Sequence, residues 1–135
     1  MEKTLVLLKP DAVARKVVGE ILARFEKKGL TIAAMKMLRI TPKLAKRHYE
    51  EHIAKPFYPE LERYITSGPV IAMILEGPEA ISAVRTLVGP TNGLFAPPGT
   101  IRGDYSLSYQ QNLVHASDSP QSAEWEIAIF FPKTP

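Results

Sequence analysis

The chain of 135 residues contains no cysteine, which excludes disulfides, thiolate chemistry and cysteine-ligated zinc or iron–sulfur sites. Long hydrophobic runs are missing too: stretches such as Val70 to Leu75 fall far short of the roughly 20 residues that cross a bilayer. Met1-Glu2-Lys3, followed only by Leu5 to Leu8 before Lys9-Pro10-Asp11, is not a secretory leader, so a cytoplasmic enzyme or binding domain is expected. Neither charge sign dominates. Lys and Arg number 17 against 14 Asp and Glu, a net charge of +3 that is too mild to argue for nucleic acid yet permits a local positive pocket. The chain also lacks a G-x-x-x-x-G-K-[ST] loop, a G-x-G-x-x-G turn, a kinase catalytic loop and an RNA-recognition RNP1 sequence. Any phosphate it handles must therefore be held by side chains and an irregular loop.

What is present is an ordinary globular composition, 45% hydrophobic and 23% charged, in a length that suits one domain over residues 1–135. Thr4 to Leu8 reads as a strand. Lys9 before Pro10 is biased to extended geometry, so a turn is expected at Asp11. Val18 to Lys28 reads as a helix with Ile21, Leu22 and Phe25 on one face and Gly29 as its stop. Leu30 to Leu38 alternates as a second strand, with Ile32 and Ala34 on one face and Met35 and Met37 on the other. Thr41-Pro42 caps a helix from Lys43 to about His52, and a short helix carrying Leu61, Tyr64 and Ile65 ends near Gly68-Pro69. Val70 to Leu75 is the third strand, and Glu79 to Val88 the next helix. Gly89 to Arg102 has no apolar period, and ordered loops of that length are usually functional. A strand through Val114 and a helix from Pro120 to about Phe131 follow, with Pro132 to Pro135 as a frayed tail. The order is strand, helix, strand twice over, which is the α+β, ferredoxin-like split βαβ arrangement with a four-stranded antiparallel sheet and helices packed on it.

Chemistry concentrates where the last strand meets the last helix. In an extended Leu113-Val114-His115-Ala116-Ser117 segment, His115 and Ser117 share a face. Ser119 and Pro120 then start a helix that carries Glu126. An imidazole held by a carboxylate has a fixed tautomer and raised basicity, as a nucleophile needs; a histidine that simply joins strand to helix is the plainer alternative. Lys9, Arg85 and Arg102 sit at element ends or in a Gly-flanked loop, where Gly99 and Gly103 permit close backbone approach to a ligand. Converging, these cations would hold a polyphosphate; apart, they are surface charges. Tyr49, Phe57 and Leu61 form either a cleft wall or ordinary core. His48 and His52 stand four apart, a spacing that suits a metal pair, but Tyr49-Glu50-Glu51 between them does not complete the metalloprotease motif. The pair is read as solvated.

Taken together these residues resemble the nucleoside diphosphate kinase family. Asn112-Leu113-Val114-His115-Ala116-Ser117-Asp118-Ser119 is similar to its active-site signature N-x-x-H-[GA]-S-D-[SA]. Lys9-Pro10-Asp11, Gly19-Glu20-Ile21, His48-Tyr49, Lys55-Pro56-Phe57, Ser67-Gly68-Pro69 and Pro98-Gly99-Thr100-Ile101-Arg102-Gly103-Asp104 match in order and spacing. The resemblance implies a ping-pong transfer of the γ-phosphoryl group of a nucleoside triphosphate to a nucleoside diphosphate. In it His115 is the nucleophile, Glu126 holds its other nitrogen, and Ser117 supports that contact. It further implies phosphate binding by Lys9, Tyr49, Arg85, Thr91 and Arg102, sugar contacts from Lys9 and Asn112, and base stacking on Phe57 helped by Leu61. Mg2+ is implied through the nucleotide's phosphates, with no protein ligands of its own. So are broad base specificity and self-association as a homo-tetramer or homo-hexamer.

The chain departs from the family in having Gly93 after Thr91-Asn92, where proline is common, followed by the hydrophobic pair Leu94-Phe95. Glycine is expected to loosen that loop and the pair to seek a partner surface. The family's longer C-terminal segment, used at subunit contacts, has no counterpart after Phe131. Two other readings compete with the enzyme: a non-catalytic nucleotide- or nucleic-acid-binding module of the same fold, and a phosphohistidine relay to another protein.

Overall fold

The computed structural model describes residues 1–132; of the tail expected to fray, Lys133, Thr134 and Pro135 lie outside them. Four strands, β1 (Glu2–Leu8), β2 (Thr31–Arg39), β3 (Pro69–Gly77) and β4 (Val114–Ala116), form an antiparallel sheet in the order β2-β3-β1-β4. The sheet and its two crossovers realise the split βαβ arrangement. β1 lies between β3 and β4 and is buried on both sides. Val6 and Leu8 face a core completed by Ile21 and Phe25 of α2 (Val18–Lys28) and Val84 and Val88 of α5 (Ala80–Val88). Leu5 and Leu7 face a second core built by α3 (Pro42–His48), α4 (Tyr58–Ile65) and α7 (Pro120–Phe130). Strand alternation thus gives β1 two apolar faces, which is why its sequence is a continuous apolar run.

The helix signals act as expected. Thr41 Oγ1 accepts from the Leu44 amide at 3.1 Å, and Ser119 Oγ from the Ser122 amide at 3.1 Å, each with proline following as the first helical residue. Gly29 ends α2 at φ +106°, a conformation glycine adopts without a Cβ clash.

Several expectations are corrected. Instead of a turn at Asp11, Pro10–Ala14 forms a one-turn helix, α1, because Pro10 is pre-set for a first helical position. A bulge between Ile32 and Ala34 breaks the alternation of β2. Ile32 pairs with Leu75 and Ala34 with Ile74, so the two face opposite sides, and Ile32 shares its side with Met35 and Met37. α3 ends at His48 and gives way to a 3-10 turn, Glu50–His52.

The long loop also holds structure: a 3-10 turn, Gly93–Phe95, and a short helix, α6 (Ile101–Tyr105), capped by Thr100 Oγ1 accepting from the Gly103 amide. Gly103 serves packing rather than ligand approach, since a Cβ there would stand 1.9 Å from the Pro97 carbonyl oxygen. Gly93 does not loosen the loop. Its amide donates to the Ser108 carbonyl at 3.0 Å, a bond proline could not make, and its Cα packs on Ser106, where a Cβ would come within 2.3 Å of Oγ. Arg24 of α2 pins the same region through Asp104 (2.6 Å) and the Gly99 carbonyl (3.1 Å).

Candidate active site

His115 lies opposite Leu7 in the β1–β4 pairing, so its side chain points to the face covered by α3 and α7. Ser119-Pro120 turns the chain so that α7 folds back over the strand, which brings Glu126 to the histidine. Nε2 of His115 is 2.7 Å from Oε2 of Glu126, and Oε1 of the same carboxylate accepts from Ser117 Oγ at 2.5 Å. A carboxylate only accepts, so the imidazole proton sits on Nε2 and Nδ1 keeps its lone pair. Burial would raise the Glu126 pKa, but the hydrogen bond and charge of His115 and the Ser117 hydroxyl outweigh it and hold the group below the ordinary carboxylate value.

The approach to the strand is equally constrained. Leu113 is fully buried and has φ +74°, in the left-handed region, not the extended run expected of it. Its amide donates to Asp11 Oδ2 at 3.1 Å, its carbonyl accepts from the Lys9 amide at 2.8 Å, and Asp11 in turn accepts from the Tyr64 hydroxyl. The backbone two residues before His115 is therefore clamped by the Lys9-Pro10-Asp11 segment and by α4.

Lys9, Arg85 and Arg102 do converge, together with Tyr49, Thr91, Asn112 and His115, around one cleft of about 500 Å3. Lys9 Nζ donates to Asn112 Oδ1 at 2.7 Å, and the Asn112 amide group donates to the carbonyls of Thr91 (2.7 Å) and Tyr109 (2.9 Å). Asn112 thus ties the strand-end lysine to the long loop. Burial, and then the charge of Arg102, bring the Lys9 pKa down to about 7, against the pull of Asp11. Arg102 is buried, and burial followed by the charge of Arg85 lowers it to about 10. Its guanidinium donates to the carbonyls of Asn112 (3.3 Å), Gly89 (2.9 Å) and Val114 (2.6 Å), which, among the described residues, leaves two of its five N–H groups free. Arg85 donates to the Ala116 carbonyl at 3.2 Å.

Phe57 and Leu61, expected to stack on the base, are less closely drawn in. Phe57 stands beside the cleft rather than lining it, 48% exposed, its ring 5.7 Å from that of His52 and under Lys55 Nζ at 5.8 Å. Leu61 is half-buried against the second core, the plainer of its two readings. Ser117 is buried behind Glu126. Gln121 and Trp125, not singled out in the sequence, border the cleft because they lie in α7 just after its turn, and Asp118 of the signature borders it just before.

The histidine pair is corrected. His48 is buried, with its ring 4.8 Å from that of His115 and Nδ1 3.7 Å from Glu126 Oε2, whereas His52 is half-exposed and contacts Lys55. Burial, then the neighbouring His115, lowers the His48 pKa to about 3, so the ring is neutral. The helical spacing Ala45–His48–Tyr49, placing all three on the core-facing side of α3, was the available signal.

The family model described as Nucleoside diphosphate kinase matches residues 2–135. The chain belongs to the nucleoside diphosphate kinase family. It is similar to the nucleoside diphosphate kinase of Rhodopirellula baltica, 61% identical over 131 residues, 97% of this chain and 86% of that one. With the nucleoside diphosphate kinase of Staphylothermus marinus it shares 62% identity over 130 residues, 96% of this chain and 92% of the other. Among solved structures, a halophilic nucleoside diphosphate kinase from Halobacterium salinarum in complex with CDP superposes with a TM-score of 0.96 at 48% identity, covering 98% of this chain and 88% of that one. The apo enzyme from Encephalitozoon cuniculi superposes with the same TM-score, 0.96, at 39% identity, covering all of this chain and 93% of its own. Membership of the nucleoside diphosphate kinase family makes this chain a nucleotide-binding phosphotransferase.

Proposed function

We propose that residues 1–135 form one nucleoside diphosphate kinase domain that moves the γ-phosphoryl group of a nucleoside triphosphate to a nucleoside diphosphate through a phosphohistidine at His115. The observation that carries this reading is the Ser117–Glu126–His115 chain, which leaves Nδ1 with a lone pair at the floor of a cationic cleft. The Nδ1 lone pair attacks the γ-phosphorus, the bond to the β–γ bridging oxygen breaks, and the diphosphate leaves with those electrons. Nε2–H stays on Glu126, whose carboxylate stabilises the positive charge that the ring acquires. In the second half, a terminal oxygen of the acceptor diphosphate attacks the same phosphorus and Nδ1 regains its pair. No proton has to move. Lys9, Arg85 and the two free N–H groups of Arg102 lower the cost of charge on the transferring oxygens, with Tyr49 and Thr91 at the same phosphates and Asn112 with Lys9 at the sugar.

Glu126 is engaged by His115 and Ser117, and the cleft's cations suit phosphate oxygens. The donor set therefore fits Mg2+ carried on the nucleotide rather than caged by protein carboxylates. Bound there, Mg2+ neutralises phosphate charge. The non-catalytic alternative is disfavoured because a recognition module has no use for a histidine polarised in this way. Self-association as a tetramer or hexamer is supported by exposed Met35 and Met37 on the edge strand and by exposed Leu94 and Phe95 on the long loop. A cytoplasmic location is in keeping with the described residues, where no helix is long and apolar enough to cross a membrane.

Two outcomes test parts of the cleft. Phe57→Ala is expected to weaken ADP, GDP and CDP alike, by roughly 1 to 3 kcal/mol of lost stacking, in equilibrium binding. A loss confined to one base would show that the base edge is read. Lys9, with a pKa of about 7 in the free protein, must gain a proton beside bound phosphates, because their charge raises its pKa. Affinity is then complete below that value and declines as the pH rises through it. Calorimetry at about pH 8 in buffers of different ionisation enthalpy should register proton uptake with ADP; uptake of none would contradict the placement of Lys9.

A further inference from the structure

Among the described residues that line the cleft, His48 is a buried titratable side chain that the transfer leaves without a task. Both of its ring nitrogens are buried and, among the described residues, neither has a hydrogen-bond partner. Such a group normally has a ligand, a water or an ion to satisfy it. Nδ1 lies 3.7 Å from Glu126 Oε2, and one ligand atom each from His48, His115 and Glu126 falls within a 4.8 Å cluster. Two imidazoles and a carboxylate are a common zinc ligand set that leaves a fourth position open. Two atoms 3.7 Å apart can both touch one ion at the usual zinc distances of about 2.0 to 2.2 Å. Binding requires His115 Nε2, now 2.7 Å from the carboxylate, to draw back, and any pair as far apart as the 4.8 Å bound of the cluster to close, toward the roughly 3.4 Å that separates two ligands on a tetrahedral ion. Mg2+ does not compete for these nitrogens, since it prefers oxygen.

We propose that His48, Glu126 and Nε2 of His115 form an inhibitory site for zinc or a similar nitrogen-seeking divalent cation, distinct from the Mg2+ that accompanies the nucleotide. The inhibition follows from the tautomer and rests on the reading of His115 as nucleophile. A metal–nitrogen bond forms at Nε2 as a metal-bound water leaves, so the lone pair must lie on Nε2. The Nε2 proton passes through solvent to Nδ1. Nδ1–H has no pair with which to attack phosphorus, and the ion has also taken the carboxylate that stabilised the charged ring. Zinc thus blocks transfer without occupying the phosphate subsites.

The test uses the full chain without nucleotide. Zinc is titrated against a chromogenic chelator while 15N chemical shifts of His115 are followed, and phosphorylation by Mg2+ and γ-labelled ATP is measured separately with and without zinc. The expected result is one zinc per chain, a His115 spectrum that changes from the Nε2–H to the Nδ1–H form, and loss of labelling. His48→Gln should weaken zinc by about tenfold or more, while His52→Gln, which alters the more exposed pair with Glu51, should leave it unchanged. Circular dichroism checks folding, and His48→Phe keeps an aromatic volume if glutamine does not fold. No zinc binding up to millimolar concentration, or zinc affinity equal to that of the parent chain in both His48 variants, overturns the site. Zinc binding with the tautomer change, in a protein that takes no label even without zinc, supports the site and instead removes the nucleophile assignment.

Discussion

His115→Ala is expected to reduce transfer from ATP to GDP by roughly four orders of magnitude or more, the scale seen when a covalent nucleophile is removed. Every other element of the cleft remains: Lys9 on Asn112, Arg102 on its three carbonyls, and Glu126 on Ser117. The side chain is one-quarter exposed, so stability should fall by no more than about 1 to 2 kcal/mol, and ADP binding should stay within a few-fold. Turnover, thermal midpoint and ADP affinity measured on one preparation separate these effects. A variant that still turns over at more than a few per cent of the parent rate would mean that the phosphoryl group travels by another route.

Arg102→Ala is expected to have the largest effect on the fold. The guanidinium reaches three carbonyls on two separate stretches: Gly89 after α5, and Asn112 and Val114 at the start of β4. Alanine would strip the Gly89, Asn112 and Val114 carbonyls of the guanidinium, leaving the Asn112 carbonyl only its 2.9 Å bond from the Val114 amide, and would open a cavity beside the strand that carries His115, a loss of about 3 kcal/mol or more. Arg102→Lys should recover only part of this, because an ammonium on a flexible stem cannot reproduce the planar fork. Urea denaturation gives the stability difference. An unchanged midpoint in the alanine variant would show that the loop is held by other means, chiefly Arg24 and Asp104. Transfer should fall further than stability accounts for, since the two remaining N–H groups are also lost to the phosphates.

These expectations draw on features of very different legibility. The bounds of α2 and the caps of α3 and α7 are local signals, a Gly stop or a Ser or Thr followed by proline, and they can be read residue by residue. α1 and α6, with five residues each, are too short for any apolar period to register. The bulge in β2 and the left-handed Leu113 are set by neighbours distant in the chain: the pairing with β3 in one case, Asp11 and Lys9 in the other. His115, Ser117 and Glu126 were legible as a unit because one strand-to-helix turn holds them within twelve positions. That Arg102 spends its guanidinium on carbonyls, that His48 faces His115 rather than His52, and that Leu61 belongs to the core depend on how α3, α4 and the long loop pack on the sheet, which no local pattern encodes.

The central claim is that His115 carries the phosphoryl group between two nucleotides. Incubation of the purified chain with Mg2+ and γ-labelled ATP, recovery of an acid-labile and base-stable adduct mapped to His115, and a chase with GDP test it directly. The account predicts stoichiometric label on His115 that leaves promptly as labelled GTP. Label that GDP cannot remove would point to a relay to another protein, and ATP binding without any label on His115 would contradict the account.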